Sequence, residues 1–354
     1  MRFGVDLTAC WRPRVGMVTA AMELSGRLFA TPGPAFTAFL SRERLPGVGR
    51  EVEAVLSPHR HELLNKLTWL PLVEPQAGLD AMFYPYWPSP PVRRRGAPPA
   101  VVFVHDLAFR LYPDDVPWQQ RLYLGSLLPR SLASAAAVLT ASEATRKDLL
   151  ACYPLPDLAE RVKVVPLGPT PLELPAADLP AGLAPGFLLA VGTIEARKNY
   201  SRLVEAHARL HDAPPLVIAG RSGWNGFRLP ERPGVRQLGH VSDATLRVLY
   251  EQASLLAFPS LYEGFGIPLV DAMVHGLPAL VGNRGALPEV AGDAALVVDP
   301  TSVEEIAAGL QRLLDDKTLR QRLAGAARRR ARDFTWERAA NLTLRALTES
   351  AAGH

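Results

Sequence analysis

SLLAFPSLYEGFGIPLVDAMVHG, residues 254–276, is the stretch that sets the fold class of this chain. A short apolar run ends near Phe258. A glycine-interrupted loop, Glu263-Gly264-Phe265-Gly266, follows, and Pro268 opens a helical pattern. Proline suits the first position of a helix, because the N–H it lacks would have no partner there. A strand that runs through a tight loop into a helix is the repeating unit of a parallel sheet covered by helices. The amides of Gly264, Phe265, Gly266 and Ile267 would point outward with the positive end of the helix dipole, an arrangement that suits an anion. Glu263 would stand at the carboxyl end of the strand, where a ligand hydroxyl can donate to it. Asp271, eight residues on, would present a second carboxylate one turn into the helix. A lone Gly-x-Gly would mean only a turn, but the whole string argues for a ligand site.

The same alternation extends in both directions. Upstream of it, residues 187–193, 215–220 and 235–240 read as strands, and downstream 278–282 and 295–299 do so. Helices are expected over 200–211, 243–252, 268–275, 303–314 and 317–332. In the first half, strands are expected over 2–7, 35–40, 81–85, 100–106 and 137–142, with VKVVPLG (162–168) closing that half, and helices over 18–30, 59–70, 118–133 and 143–152. Several strands are continuously apolar, as in a parallel sheet buried on both faces. Between the halves lies a proline- and alanine-rich stretch of linker composition, residues 169–186. The chain of 354 residues is long enough for two domains. The expected fold is therefore α/β, with two doubly wound Rossmann-like domains facing a cleft. The first spans 1–170 and the second 171–335, and an amphipathic helix over 336–354 packs back on the first. Open sheets of this kind bind ligands at the carboxyl ends of their strands.

Composition narrows the function. A net charge of +4, with 48% apolar residues, gives no basic stripe of the kind that nucleic acid requires. The two cysteines, Cys10 and Cys152, offer neither a metal spacing nor a disulfide framework, and no metal site is expected. The opening MRFGVDLTAC reads as a short strand and not as a secretory leader, and no apolar run is long enough to span a bilayer. A cytoplasmic protein is expected, with membrane contact at most peripheral, at the inner face, through surface such as Arg93-Arg94-Arg95.

Three further stretches carry chemistry. In FLLAVGTIEARKN (187–199), a strand runs into a turn with Arg197 and Lys198, and Asn199 is placed to cap the following helix. Cations are unfavourable at a helix N-terminus, so a bound anion would relieve the conflict. Arginine can grip a phosphate bidentately and lysine adds a point charge. In VVFVHDLAF (101–109), His105 ends an apolar strand, with Asp106 beside it as an orienting group. In the first strand-to-helix loop, Gly16 would let a ligand approach the backbone. That loop lacks the GxGxxG fingerprint, which argues against a nicotinamide enzyme.

Taken together, VHDLAF, LTASEATRKDL, VGTIEARKN, LGHVSDATL, FPSLYEGFGIPLVDAM, ALPEVAGDAALVVDP and FTWERAA resemble, in order and spacing, the GT-B glycosyltransferases of family four, the group-1 enzymes that transfer sugars with retention. The resemblance covers nearly the whole chain and is strongest from Phe187 onward. It implies that Glu263 and His105 contact the donor sugar, that the amides of Gly264, Phe265, Gly266 and Ile267 support sugar and phosphate, that Arg197 and Lys198 bind the diphosphate, and that Gly16 approaches the phosphates. Two departures stand out. The family's ribose-binding acid is usually glutamate and here is Asp271, one methylene shorter. Thr193 stands where some members carry a further phosphate-binding arginine.

The form VGTIEARKN looks most like enzymes of bacterial surface polysaccharide biosynthesis. The expected donor is GDP-mannose, with UDP-sugars as the alternative, and the expected acceptor is a glycan or lipid-linked hydroxyl. No metal or other cofactor is expected to be required. The competing readings are a GT-B nucleotide-sugar epimerase or hydrolase, and a non-catalytic sugar-nucleotide-binding protein.

Overall fold

The structure is a computed structural model and describes residues 1–11, 16–86, 88–172, 177–223, 229 and 231–353. The chain forms two compact units. One comprises Met1–Arg110, Trp118–Gly168 and Thr335–His354, and the other comprises Leu111–Pro117 and Pro169–Phe334. The chain thus enters the second unit twice, first as a seven-residue excursion from within the first half.

The first unit holds a seven-stranded parallel sheet: β1 (Arg2–Asp6), β2 (Ala35–Ser41), β3 (Glu53–Ser57), β4 (Ala81–Tyr84), β5 (Ala100–Val104), β6 (Ala135–Thr140) and β7 (Val162–Val164), in the order β3-β2-β1-β4-β5-β6-β7. The order reverses between β1 and β4, which makes the crevice at their carboxyl ends the topological switch point. Strands β4 and β5 are buried at every residue, as their unbroken apolar runs require. The final helix, Trp336–Ala352, belongs to this unit and packs on the helix Gly16–Phe29 and across β4, β5 and β6. Arg27 Nε donates to Glu337 at 2.8 Å, and Trp336 sits so tightly on Gly168 that a Cβ there would lie 2.7 Å from the indole.

Two features of this unit differ from the expectation. Strand β3 was not anticipated: it is an edge strand, half-exposed, and Glu53 breaks its apolar pattern. The helix expected over 59–70 is three short pieces, Glu62–Leu64, a wide π turn Asn65–Trp69, and Leu70–Val73. In the π turn Asn65 and Lys66 are buried. Asn65 accepts from Ser57 Oγ at 2.5 Å, and the Lys66 ammonium pairs with Asp6 at the end of β1. Polar residues that point inward defeat a reading based on an apolar stripe.

The second unit repeats the plan with six parallel strands: β8 (Leu188–Val191), β9 (Leu216–Ala219), β10 (Val235–Gly239), β11 (Leu255–Phe258), β12 (Ala279–Gly282) and β13 (Ala295–Val298), in the order β10-β9-β8-β11-β12-β13. Its switch point lies between β8 and β11. Leu188, Ala190, Leu216, Ile218, Leu255, Ala257 and Leu280 form one core with Leu203, Ile306 and Leu310 of the covering helices. The described residues of the linker stretch contain no helix or strand.

Candidate active site

In the second unit, the two motifs singled out in the sequence leave the two strands that flank the switch point. β8 leads into the turn with Arg197 and Lys198, and β11 leads into the loop with Glu263. Gly192 makes the exit from β8 possible. Its φ of +136° disfavours side chains, and a Cβ there would lie 3.3 Å from Lys198 Cε. The next loop comes close as well: Gly223 presents no side chain where a Cβ would lie 2.3 Å from the carbonyl of Ile194. Arg197 and Lys198 then fall in a short 3-10 turn, Ala196–Lys198.

Backbone bonds fasten the two loops together. Leu261 N donates to Arg197 O at 2.7 Å, and the Asn199 side-chain amide donates to Pro259 O at 3.0 Å and to Pro300 O at 2.5 Å. Asn199 therefore does not cap the helix Tyr200–His207 as expected. It adopts φ +62°, which asparagine tolerates better than most residues, and its side chain reaches across to the neighbouring loops.

The charges of the site are balanced internally. Lys198 Nζ donates to Glu263 Oε1 at 2.6 Å. Arg197 places Nε 3.0 Å from Glu195 Oε2 and Nη1 3.5 Å from Glu263 Oε2, and Nη1 also donates to Tyr262 O at 3.3 Å. Glu263 is 7% exposed. Burial opposes its charge, but Lys198 and Arg197 prevail and hold its carboxyl below the ordinary glutamate range. Burial draws the Lys198 amine below its usual value although Glu263 pulls it the other way. Burial likewise raises Glu195 against the attraction of Arg197 and Lys198. The conflict that the sequence placed at a helix start is thus met here by two carboxylates. Glu195, which sequence reasoning passed over, is one of them, and its signal was an acid two residues before Arg197 in VGTIEARKN.

The glycine loop behaves as a backbone element. Gly266, at φ +98°, precedes the helix Ile267–His275, and a Cβ there would lie 2.8 Å from Leu287. Phe265 is turned inward, edge-on to Phe334 at 5.5 Å, so its side chain anchors the loop. Glu263 O accepts from Ala286 N at 3.0 Å. The first amides of a helix have no partner within it.

Asp271 is engaged within the protein. Its carboxylate accepts from Thr170 N at 2.7 Å and from Thr170 Oγ1 at 2.9 Å. Burial raises its carboxyl to about 7, against the stabilising bonds from Thr170 and Tyr250. The expected ribose contact is therefore occupied by a residue of the linker stretch.

In the first unit, His105 is 7% exposed and stacks on Phe103 at 4.6 Å. Its Nε2 lies 2.7 Å from Pro85 O. A carbonyl only accepts, so Nε2 carries a proton. Burial lowers the ring's pKa, leaving it neutral with Nδ1 as an acceptor. The ring can thus receive a hydrogen bond from a hydroxyl at Nδ1. Asp106, expected to orient the ring, instead accepts from Ala108 N at 3.0 Å, and Pro85 holds the imidazole. Gly16 opens its helix, and among the described residues no atom beyond its chain neighbours and its own helix backbone lies within 4 Å of a hypothetical Cβ. Residues 12–15 of that loop lie outside the described residues. Arg93 does not share a solvated run with Arg94 and Arg95. Its guanidinium donates to Tyr84 Oη at 3.0 Å and to Pro98 O, and it lies 3.8 Å from Glu74.

Comparison with known proteins agrees with this architecture. The profile of "Glycosyl transferases group 1" matches residues 177–330, and that of "Glycosyl transferase 4-like domain" matches 8–168. The chain is 33% identical to O-antigen chain mannosyltransferase B of Escherichia coli over 268 residues, 70% of this chain and 69% of that protein. It is 34% identical to the MMP alpha-(1->4)-mannosyltransferase of Mycolicibacterium hassiacum over 221 residues, 58% of this chain and 52% of the relative. Sucrose-phosphate synthase from Thermosynechococcus elongatus superposes with a TM-score of 0.75 at 20% identity, covering 100% of both chains. With two parallel Rossmann-like sheets, both profiles and a relative aligned over most of its length, the chain belongs to the group-1 glycosyltransferases and is an enzyme of the GT-B fold.

Proposed function

We propose that this enzyme transfers a hexose, with mannose favoured, from a nucleotide-diphosphate sugar to a hydroxyl of a glycan or lipid-linked acceptor, with retention, in the assembly of a surface polysaccharide. The observation that carries this reading is the Lys198–Glu263–Arg197–Glu195 cluster at the β8/β11 switch point. The likeness to two mannosyltransferases favours GDP-mannose over the UDP-sugars.

The cluster suggests how donor binding proceeds. Before binding, Lys198 and Arg197 are neutralised by carboxylates. A diphosphate entering beside the amides of Gly264–Ile267 offers these cations a stronger partner. As they turn toward it, Glu263 is released to accept from a sugar hydroxyl. Loss of the nucleoside diphosphate leaves negative charge on the leaving group, and the same cations stabilise it in the transition state. His105 accepts from a second sugar hydroxyl at Nδ1. Gly16, which no described side chain packs against, leaves room for the phosphates. The ribose is contacted by Asp271 only if Thr170 is displaced. No metal ion is required in this scheme, since the cations take its place.

We further propose a cytoplasmic enzyme with peripheral contact at the inner membrane face. No described helix is long and apolar enough to cross a membrane. Exposed Leu64, Leu67, Trp118 and Leu122 lie on two stretches brought together where Tyr123 Oη donates to Glu62 at 2.9 Å.

The test is nucleotide release without acceptor, followed for GDP-mannose, UDP-glucose and UDP-galactose. GDP release from GDP-mannose is expected to be fastest, and it should rise further with a mannosylated acceptor. Release from neither class of donor would overturn the reading, and release from UDP-sugars alone would overturn the choice of base.

A further inference from the structure

Leu111–Pro117 lies in the first half of the sequence, after the helix Ala108–Leu111 that follows His105, yet it is part of the second unit. It does not serve as a passive connection there. Asp115 Oδ2 accepts from the backbone N–H of Arg197 at 2.7 Å. Tyr112 Oη donates to Leu261 O at 3.1 Å, and its ring stacks on Tyr262 with centroids 5.4 Å apart and planes at 28°. The segment is stiffened by a 3-10 turn, Pro113–Asp115, with Asp115 N donating to Tyr112 O at 3.1 Å.

These contacts fall on the two loops that carry the charged cluster. Arg197 is held at its amide by Asp115, at its carbonyl by Leu261 N, and at its guanidinium by Glu195, Glu263 and Tyr262 O. Tyr262 is held by Tyr112 and immediately precedes Glu263. We propose that Leu111–Pro117 is a positioning element of the donor site: Asp115 sets the phosphate-binding turn, and Tyr112 sets the loop that aims Glu263. The inference rests on the reading of Arg197 and Lys198 as phosphate ligands. Neither Asp115 nor Tyr112 is a catalytic residue in this account, since each acts through a neighbour. An anionic side chain beside a phosphate site would otherwise repel its ligand. Here Asp115 is committed to an N–H of the turn, where a charge-assisted bond is about twice as strong as a neutral one.

The test compares Asp115→Ala, Asp115→Asn, Tyr112→Phe and Tyr112→Leu with Lys198→Ala as the control. The readouts are calorimetric affinity for GDP, steady-state kcat and KM for the donor, and the thermal midpoint. Asp115→Ala is expected to weaken GDP about tenfold, the equivalent of one charge-assisted bond. Asp115→Asn keeps an acceptor oxygen without its charge and should recover about half of that loss, leaving GDP about threefold weaker than wild type. Tyr112→Leu should lower kcat while leaving GDP affinity near wild type, and Tyr112→Phe, which keeps the stack, should lie between. If Lys198→Ala weakens GDP but Asp115→Ala leaves both affinity and kinetics unchanged, the positioning role is overturned and the phosphate reading stands. If Lys198→Ala is itself without effect on GDP, the phosphate reading falls and this inference falls with it. If Asp115→Asn loses as much as Asp115→Ala, Asp115 acts through its charge and positioning is overturned.

Discussion

At the scale of single residues, the candidate site is a set of ionic pairs that, on the proposed reading, a donor would rearrange. Breaking a buried pair by removing one partner strands the other, at a cost of about 3–5 kcal/mol of stability. Lys198→Ala should therefore lower both the thermal midpoint and the affinity for GDP, the latter about 10- to 100-fold. Stability and binding separate in the double variant Lys198→Met with Glu263→Gln, which removes both charges together. Its midpoint should recover toward wild type while its GDP affinity stays low. Recovery of both would show that Lys198 serves the fold alone. Glu263→Gln by itself should mainly reduce turnover, because a contact that tightens as the sugar becomes cationic contributes most in the transition state. His105→Ala should reduce turnover with GDP affinity nearly intact. Normal turnover in His105→Ala would leave the ring as a packing partner for Phe103 and Pro85.

At the scale of elements, the two stretches Glu62–Val73 and Trp118–Ser134 present apolar side chains to solvent. Leu64 is 46% exposed, Leu67 47%, and Trp118 and Leu122 63% each. The acid among them, Glu62, is buried against Tyr123, while Arg60 and Arg121 are exposed. Apolar surface with cations around it fits an anionic bilayer. Sedimentation with vesicles containing phosphatidylglycerol should pull the protein down at low salt, and Trp118→Ser with Leu122→Ser should abolish this. Equal sedimentation by the double variant would remove these residues from the membrane proposal. This surface shows why some elements were legible in the sequence and others not. Strands such as β5 and β11 declare themselves because every residue is apolar and buried. The helices Glu143–Cys152 and Asp243–Gln252 declare themselves through Ser142 and Ser242, whose hydroxyls accept from the amides three residues on. Strand β3 and the π turn do not, because the first lies at the edge of its sheet and the second turns Asn65 and Lys66 inward. For the site, residue types and loops were legible from local spacing. The partners were not: Asp115 stands 82 residues from Arg197, and Thr170 stands 101 from Asp271. No local pattern reports contacts at such separations.

At the scale of the whole molecule, each unit buries a carboxyl that burial raises to about 7, and together these two shape the pH dependence of stability. In the first unit, burial raises Glu74 to about 7 although Arg93 and Tyr84 favour its charge. In the second, burial raises Asp271 to about 7. A carboxyl with a raised folded-state value gives its full contribution below the unfolded value near 4, and that contribution is lost as pH rises through about 7. Each group therefore costs on the order of 3–4 kcal/mol by pH 8, at 1.36 kcal/mol per pH unit. Glu263 works in the opposite sense: its lowered value gives stability that is present at neutral pH and lost on acidification through its folded value. Stability should then peak on the mildly acidic side of neutrality. Asp271→Asn can keep an acceptor for Thr170 N and, through its amide, a donor to Thr170 Oγ1. Glu74→Gln can keep an acceptor for Tyr84 Oη. Neither substitute ionises. Thermal midpoints followed from pH 5 to pH 8.5 should fall for the wild type from pH 5 to about 7 and level off above it, and the fall should be shallower in each variant. Because the two carboxyls lie in different units, the double variant should combine both effects. Midpoints that fall equally steeply in wild type and both variants would mean that Glu74 and Asp271 are ionised in the folded protein throughout. In Asp271→Asn the same measurement with GDP added separates two roles. An undiminished shift on binding would leave Asp271 as the anchor of Thr170, and a lost shift would mean that the ribose displaces Thr170 and takes the carboxylate.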